Sequence, residues 1–114
     1  MEKSRIQYSD GELIVHLYGE IDHHSVCAIR NGIDAAMYEK RPKSLVFELS
    51  DVDFMDSSGL GLILGRYAKA NEIGTGIIVR NPKLRQENML KMAHIQKILT
   101  IQHTEASQNE KKAE

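Results

Sequence analysis

The chain has 114 residues, 41% of them hydrophobic, 5% aromatic and 27% charged, with a formal net charge of −1. That length suits one domain, and without Trp its core must be aliphatic. The charge balance gives no electrostatic drive toward nucleic acid or an anionic membrane, no apolar run approaches the ~20 residues that span a bilayer, and the single cysteine, Cys27, excludes an internal disulfide and a cysteine-based metal site.

Residues 1–5 lack the apolar core of a signal peptide, so the expected location is cytoplasmic. Residues 6–8 read as a weak strand, followed by an Asp10-Gly11 hairpin turn. Residues 12–18 alternate: Leu13, Val15 and Leu17 face one way, while Glu12, Ile14, His16 and Tyr18 face the other. Gly19 is expected to end this strand. Asp22 or Ser25 can cap a first helix running to about Glu39, with Val26, Ile29, Ile33, Ala36 and Met37 on one stripe. Arg41-Pro42-Lys43 ends it.

A third strand over residues 45–49 puts Leu45, Phe47 and Leu49 on one face and Val46 and Glu48 on the other. Residues 51–56 are expected as a loop into a second helix, about 58–71, with Leu60, Ile63, Leu64, Tyr67 and Ala68 as its apolar face. Gly74 and Gly76 turn into a fourth strand, 77–79, and Asn81-Pro82 announces a third helix, about 84–93. A fifth strand is placed at 97–101. The domain is expected to span residues 1–103, with 104–114 as a polar tail, either frayed helix or disordered.

The predicted order is β-β-α-β-α-β-α-β. Strand–helix–strand units make parallel pairs through right-handed crossovers, so strands added in one direction place every crossover helix on one sheet face. The alternation in the second and third strands agrees, because strands covered on both faces are nearly continuous apolar runs. The expected fold is therefore α/β, a mixed sheet of four to five strands with crossover helices mainly on one face. The C-terminal ends of the second and third strands then lie side by side, where open α/β sheets usually place function. Residues 19–24 and 51–57 should form one surface there.

The densest chemistry is Phe54-Met55-Asp56-Ser57-Ser58-Gly59-Leu60-Gly61-Leu62-Ile63. Its serines fall where a helix N-terminus presents unpaired N–H groups. A phosphate there adds about −1.5 to −2 charges and meets a favourable dipole. Residue type alone leaves a serine as plain cap, as modification target, or as hydrolase nucleophile. Met55 and Asp56 replace the Gly-x-Ser-x-Gly elbow, and no base is identifiable from spacing, which opposes the hydrolase.

Gly59, Gly61 and Gly65 are not a dinucleotide loop, because Leu64 stands where its third glycine belongs. Gly61 and Gly65, four apart, are expected to admit a close backbone, each at up to ~1 kcal/mol relative to Ala. Leu62 falls off the apolar stripe and is expected to be an exposed partner contact. Asp22-His23-His24 lacks a further ligand for a metal and reads as a solvated or partner-facing loop. His16, His94 and His103 are scattered and receive no role. The Arg80-Asn81-Pro82-Lys83-Leu84-Arg85 cluster has the composition of a phosphate loop, but such clusters are usually just solvated.

Gly19-Glu20-Ile21-Asp22-His23-His24, combined with Asp53-Phe54-Met55-Asp56-Ser57-Ser58-Gly59-Leu60-Gly61, resembles the STAS-domain anti-sigma factor antagonists. Ile63-Leu64-Gly65-Arg66-Tyr67 extends the resemblance to the sporulation branch of that family, and the likeness covers roughly residues 4–102. The resemblance implies a non-enzymatic protein without cofactor or metal. Its unphosphorylated form would bind an anti-sigma factor with serine kinase activity and release the sigma factor for transcription. The kinase would use ATP to phosphorylate Ser57, the first of the pair, and a serine phosphatase would reverse this. Partner contacts would come from Gly19, Glu20, Asp22, His23, His24, Met55, Asp56, Ser57, Ser58, Gly59 and Leu62. The alternative is a STAS module that binds a small ligand or nucleotide at the same loops. The polar run 87–94 departs from the more hydrophobic third helix of that family, which leaves the length of this helix open.

Overall fold

The computed structural model describes residues 3–104, in the order β1 (Ser4–Ser9), β2 (Glu12–Ile21), α1 (Val26–Lys40), β3 (Ser44–Met55), α2 (Ser57–Glu72), β4 (Gly76–Arg80), α3 (Leu84–Met92), a 3-10 turn (Ile95–Lys97) and β5 (Thr100–Gln102). The predicted polar tail, from residue 105 on, lies outside the described residues. The five strands stand side by side in the order β1-β2-β3-β4-β5. β1 is antiparallel to β2 across the Asp10-Gly11 turn, and the other pairs are parallel. Asp10 (φ 51°) and Gly11 (φ 82°) supply the two positive φ angles that a tight hairpin turn demands.

The register aligns Leu13 with Leu45 and Ile77, and Val15 with Phe47 and Val79. These rows form one core with Ile29, Ile33 and Met37 of α1, Leu62, Ile63 and Ala70 of α2, and Leu90 of α3. All three helices thus cover one face of a mixed five-stranded sheet, as strands added in a single direction require. The other face carries Ile14, Val46 and Ile78 in register, with His16, Glu48 and Arg80 beside them. Val46 is fully buried between its strand neighbours yet lies outside the helix-covered core.

Several boundaries differ from expectation. β2 does not stop at Gly19; the glycine takes φ 68° at a register irregularity and the strand continues to Ile21. Residues 51–55 are not a loop but the end of β3, which turns Val52 and Met55 into the core and leaves Asp51, Asp53 and Phe54 outside. β5 is shorter than expected because residues 95–97 form a 3-10 turn. The turn before α3 is held by the Asn81 side chain: its amide donates to Glu48 (3.1 Å) and its carbonyl accepts from the Thr104 N–H (2.7 Å).

The apolar face of α2 is rotated by one residue, about 100°, from the predicted one. Gly59, Leu62, Ile63, Arg66 and Ala70 are buried, whereas Tyr67 and Ala68 are exposed. Leu62, expected outside, is only 4% exposed. The reason is Arg66, a charged residue in the buried stripe, whose Nε lies 2.9 Å from Asp34 Oδ1 of α1.

The glycines of α2 also divide differently. A Cβ on Gly59 would fall on the Met55 side chain, so the close approach is there. Among the described residues a Cβ on Gly61 or Gly65 would meet nothing within 4 Å, so neither is the expected site of close backbone approach. Gly61→Ala and Gly65→Ala should therefore each stabilise the fold by about 0.5–1 kcal/mol. Gly59→Ala should destabilise it by about 1–3 kcal/mol through overpacking. Urea denaturation of the three variants separates these outcomes, and a common midpoint would contradict them.

Candidate functional site

Ile21 pairs with Met55 at the ends of β2 and β3, and the Asp56 N–H donates to the Ile21 carbonyl (3.3 Å). The segments after the two strands therefore leave the sheet together. After Ile21 the chain closes a small turn. Asp22 Oδ1 accepts from the N–H groups of His24 (3.1 Å) and Ser25 (3.2 Å), while the Ser25 hydroxyl donates to the Asp22 carbonyl (3.0 Å). Ser25 holds the position before α1 but gives it no side-chain cap. Its hydroxyl is spent on the turn. His23 and His24 project into solvent.

Desolvation pushes the Asp22 carboxyl up, but the Ser25 hydroxyl and N–H, the Lys3 charge and the His24 N–H outweigh it and hold the group below its ordinary value. The turn is thus pinned by an ionised carboxylate across the neutral range. Among the described residues no group of three His, Cys, Asp or Glu side chains is placed to hold a metal.

At the head of α2, Asp56 has extended backbone angles (φ −93°, ψ −169°), and its Oδ1 accepts from the Ser58 N–H at 2.8 Å. The cap is Asp56, so neither serine is needed for it. Ser57 becomes the first helical residue and is exposed; Ser58 is half-buried. Of the sequence-predicted residues, Glu20, Asp22, His23, His24, Asp56, Ser57 and Ser58 come together at one end of the sheet, with Gly19 half-buried behind them. Met55, Gly59 and Leu62 do not belong to that surface. They are buried beneath it, because β3 runs on to Met55 and α2 turns the faces of Gly59 and Leu62 inward.

Sequence reasoning missed two features. Phe54, opposite Glu20 in the sheet, is 43% exposed beside the serines. The late irregularity in β3 puts it outside, and no periodicity signals that. An open groove between α1 and α2 also begins at Ser58. Its lining includes Gly61 and Gly65, residues with no side chain to announce a site.

A STAS domain model matches residues 3–108. The chain belongs to the STAS domain family. This STAS domain is 36% identical, over 102 residues, to an anti-sigma F factor antagonist from Paenibacillus polymyxa, covering 90% of this chain and 87% of that one. It superposes on SpoIIAA, an anti-sigma factor antagonist, in its unphosphorylated form with a TM-score of 0.74 at 22% identity, over 96% of each chain. The phosphorylated form of SpoIIAA, a Bacillus cell fate determinant, gives a TM-score of 0.73 at 25% identity, over 94% of this chain and 96% of that one.

Proposed function

We propose that this STAS domain is an anti-sigma factor antagonist controlled by a phosphate on Ser57. In this reading the unphosphorylated surface of Glu20, Asp22, His23, His24, Asp56, Ser57 and Ser58 binds a cytoplasmic anti-sigma factor that is also a serine kinase. The sigma factor is thereby released to transcribe sporulation genes. Kinship with anti-sigma F factor antagonists supports the class of partner. The observation that carries the reading is the position of Ser57: exposed, first in α2, and beside the Asp22–His24 turn.

The chemistry follows from that position. The Ser57 hydroxyl attacks the γ-phosphorus of ATP, an oxygen–phosphorus bond forms, ADP leaves, and the hydroxyl proton passes to a base on the kinase. The product places about two negative charges at the positive end of α2, so the helix accepts it without unfolding. A docked protein does not, because it must bury those charges, and the added bulk that carries them, at the contact. Hydrolysis by a serine phosphatase restores the binding surface.

Incubation with the cognate kinase and ATP, followed by phosphopeptide mapping, should place a single phosphate on Ser57. A phosphate confined to another residue, or none, would overturn the assignment. Amide chemical-shift changes should stay within the Asp22 turn and the first turn of α2.

A further inference from the structure

We propose that the groove between α1 and α2 receives an acidic side chain of the anti-sigma factor, gripped by Arg30 and Arg66. This rests on the antagonist reading above and adds a second anchor next to Ser57.

Three observations converge on the groove. First, its lining includes Gly61 and Gly65, where a Cβ would touch nothing within 4 Å among the described residues, so the groove is open there. Packing between the helices does not require glycine there, yet a helix interior is weakened by each one. Second, Arg66, which lines the groove, is only 8% exposed. Its Nε faces Asp34 at 2.9 Å, but its Nη1 is buried without a hydrogen-bond acceptor among the described residues. A buried guanidinium nitrogen in that state lacks a partner it would normally have. Third, Arg30 stands on the opposite wall, and among the described residues no carboxylate pairs with it. Among the described residues its guanidinium makes one hydrogen bond, to the Cys27 sulfur at 3.5 Å.

Asp34 therefore pairs with Arg66 alone, and the second guanidinium, Arg30, has no carboxylate partner among the described residues. Burial pushes the Arg66 pKa down, and the charge of Arg30 adds to that, against the opposing pull of Asp34. An incoming carboxylate supplies the missing acceptor and balances the surplus charge, with the fork geometry arginine offers. Val26 and Leu62 give the stem of an Asp or Glu side chain apolar walls. Because the groove starts at Ser58, a partner segment seated over Ser57 runs directly into it.

The test titrates the cognate anti-sigma factor with unphosphorylated wild-type protein, Arg30→Glu, Arg30→Lys, Gly61→Leu and Ser57→Asp, with circular dichroism melts as the folding control. Arg30→Glu should weaken binding about 30-fold or more, Arg30→Lys clearly less, and Gly61→Leu about 10-fold. Reversing one acidic residue of the anti-sigma factor to Lys should restore binding of Arg30→Glu. Wild-type affinity in Arg30→Glu and Gly61→Leu, with Ser57→Asp inactive, overturns the groove and leaves the serine switch standing. Loss in Arg30→Glu without loss in Gly61→Leu puts the charge contact outside the groove and also overturns it. Wild-type affinity in Ser57→Asp removes the switch whatever the groove variants do. No binding by wild-type protein removes both.

Discussion

Ser57→Asp is expected to bind the anti-sigma factor roughly 30- to 1000-fold more weakly than wild type, and Ser57→Ala to bind at full strength whether or not ATP is present. The range corresponds to about 2–4 kcal/mol, the usual penalty for a charge desolvated without a partner at an interface. Aspartate carries one charge where phosphoserine carries nearly two, so this variant should fall toward the lower end. The fold itself should be indifferent. Residue 57 is exposed and opens α2, where an anion meets the positive end of the helix dipole. Asp56 already places a carboxylate against the Ser58 N–H, so an acidic group in this turn is native to the structure. Calorimetric titration of the two variants decides the matter, since equal affinities leave no role for charge at this position.

Asp34→Ala should destabilise the domain by about 2–3 kcal/mol, while Arg66→Met should be close to neutral or stabilising. The asymmetry comes from desolvation. Removing the carboxylate strands a guanidinium that is already buried, whereas replacing that guanidinium by an apolar chain of similar length leaves behind only Asp34, the more exposed partner, whose charge solvent can relieve. The Asp34 side chain is 26% exposed, so solvent relieves part of the penalty and the loss stays below that of a fully enclosed pair. For a domain of this size the Asp34→Ala melting temperature should fall by roughly 10 °C. The double variant should recover most of the loss, because the two side chains act on each other. Thermal melts of the cycle measure this, and a larger loss in Arg66→Met than in Asp34→Ala would reverse the assignment. Arg66→Met also separates stability from recognition: it should keep the fold and lose grip on the anti-sigma factor.

The parts of this fold that were legible in the sequence are those where one signal acted alone. Leu13-Val15-Leu17 and Leu45-Phe47-Leu49 alternate without interruption, and their faces are as the alternation indicates. The Asp10-Gly11 turn and the stripe of Ile29, Ile33 and Met37 were equally direct. Misreadings arose where two signals competed. Arg66 looks like a solvent residue, and only its pairing with Asp34 on another helix lets it hold a core position, so the reading of α2 slipped by one residue. Leu62, which the spacing of apolar residues places on the surface, is accordingly buried. Asp51 and Asp53 suggested a loop, yet β2 continues alongside and supplies the pairing that keeps residues 51–55 extended. Asp56, Ser57 and Ser58 all have capping chemistry, and the choice among them was made by where β3 ends, which no local pattern encodes. The meeting of the Asp22 turn with Ser57 could be read in advance because it follows from strand order alone.

That strand order bears on how the molecule comes into being. Position in the sheet repeats position in the chain, so each strand hydrogen-bonds only to the one synthesised just before it and the one just after. No segment waits for a distant mate, and no finished pair has to open to admit a latecomer. Loop-closure entropy is met in a few modest instalments. The nascent chain can thus build upon itself as it leaves the ribosome, with the hairpin first and the three-residue β5 laid last on an almost complete platform.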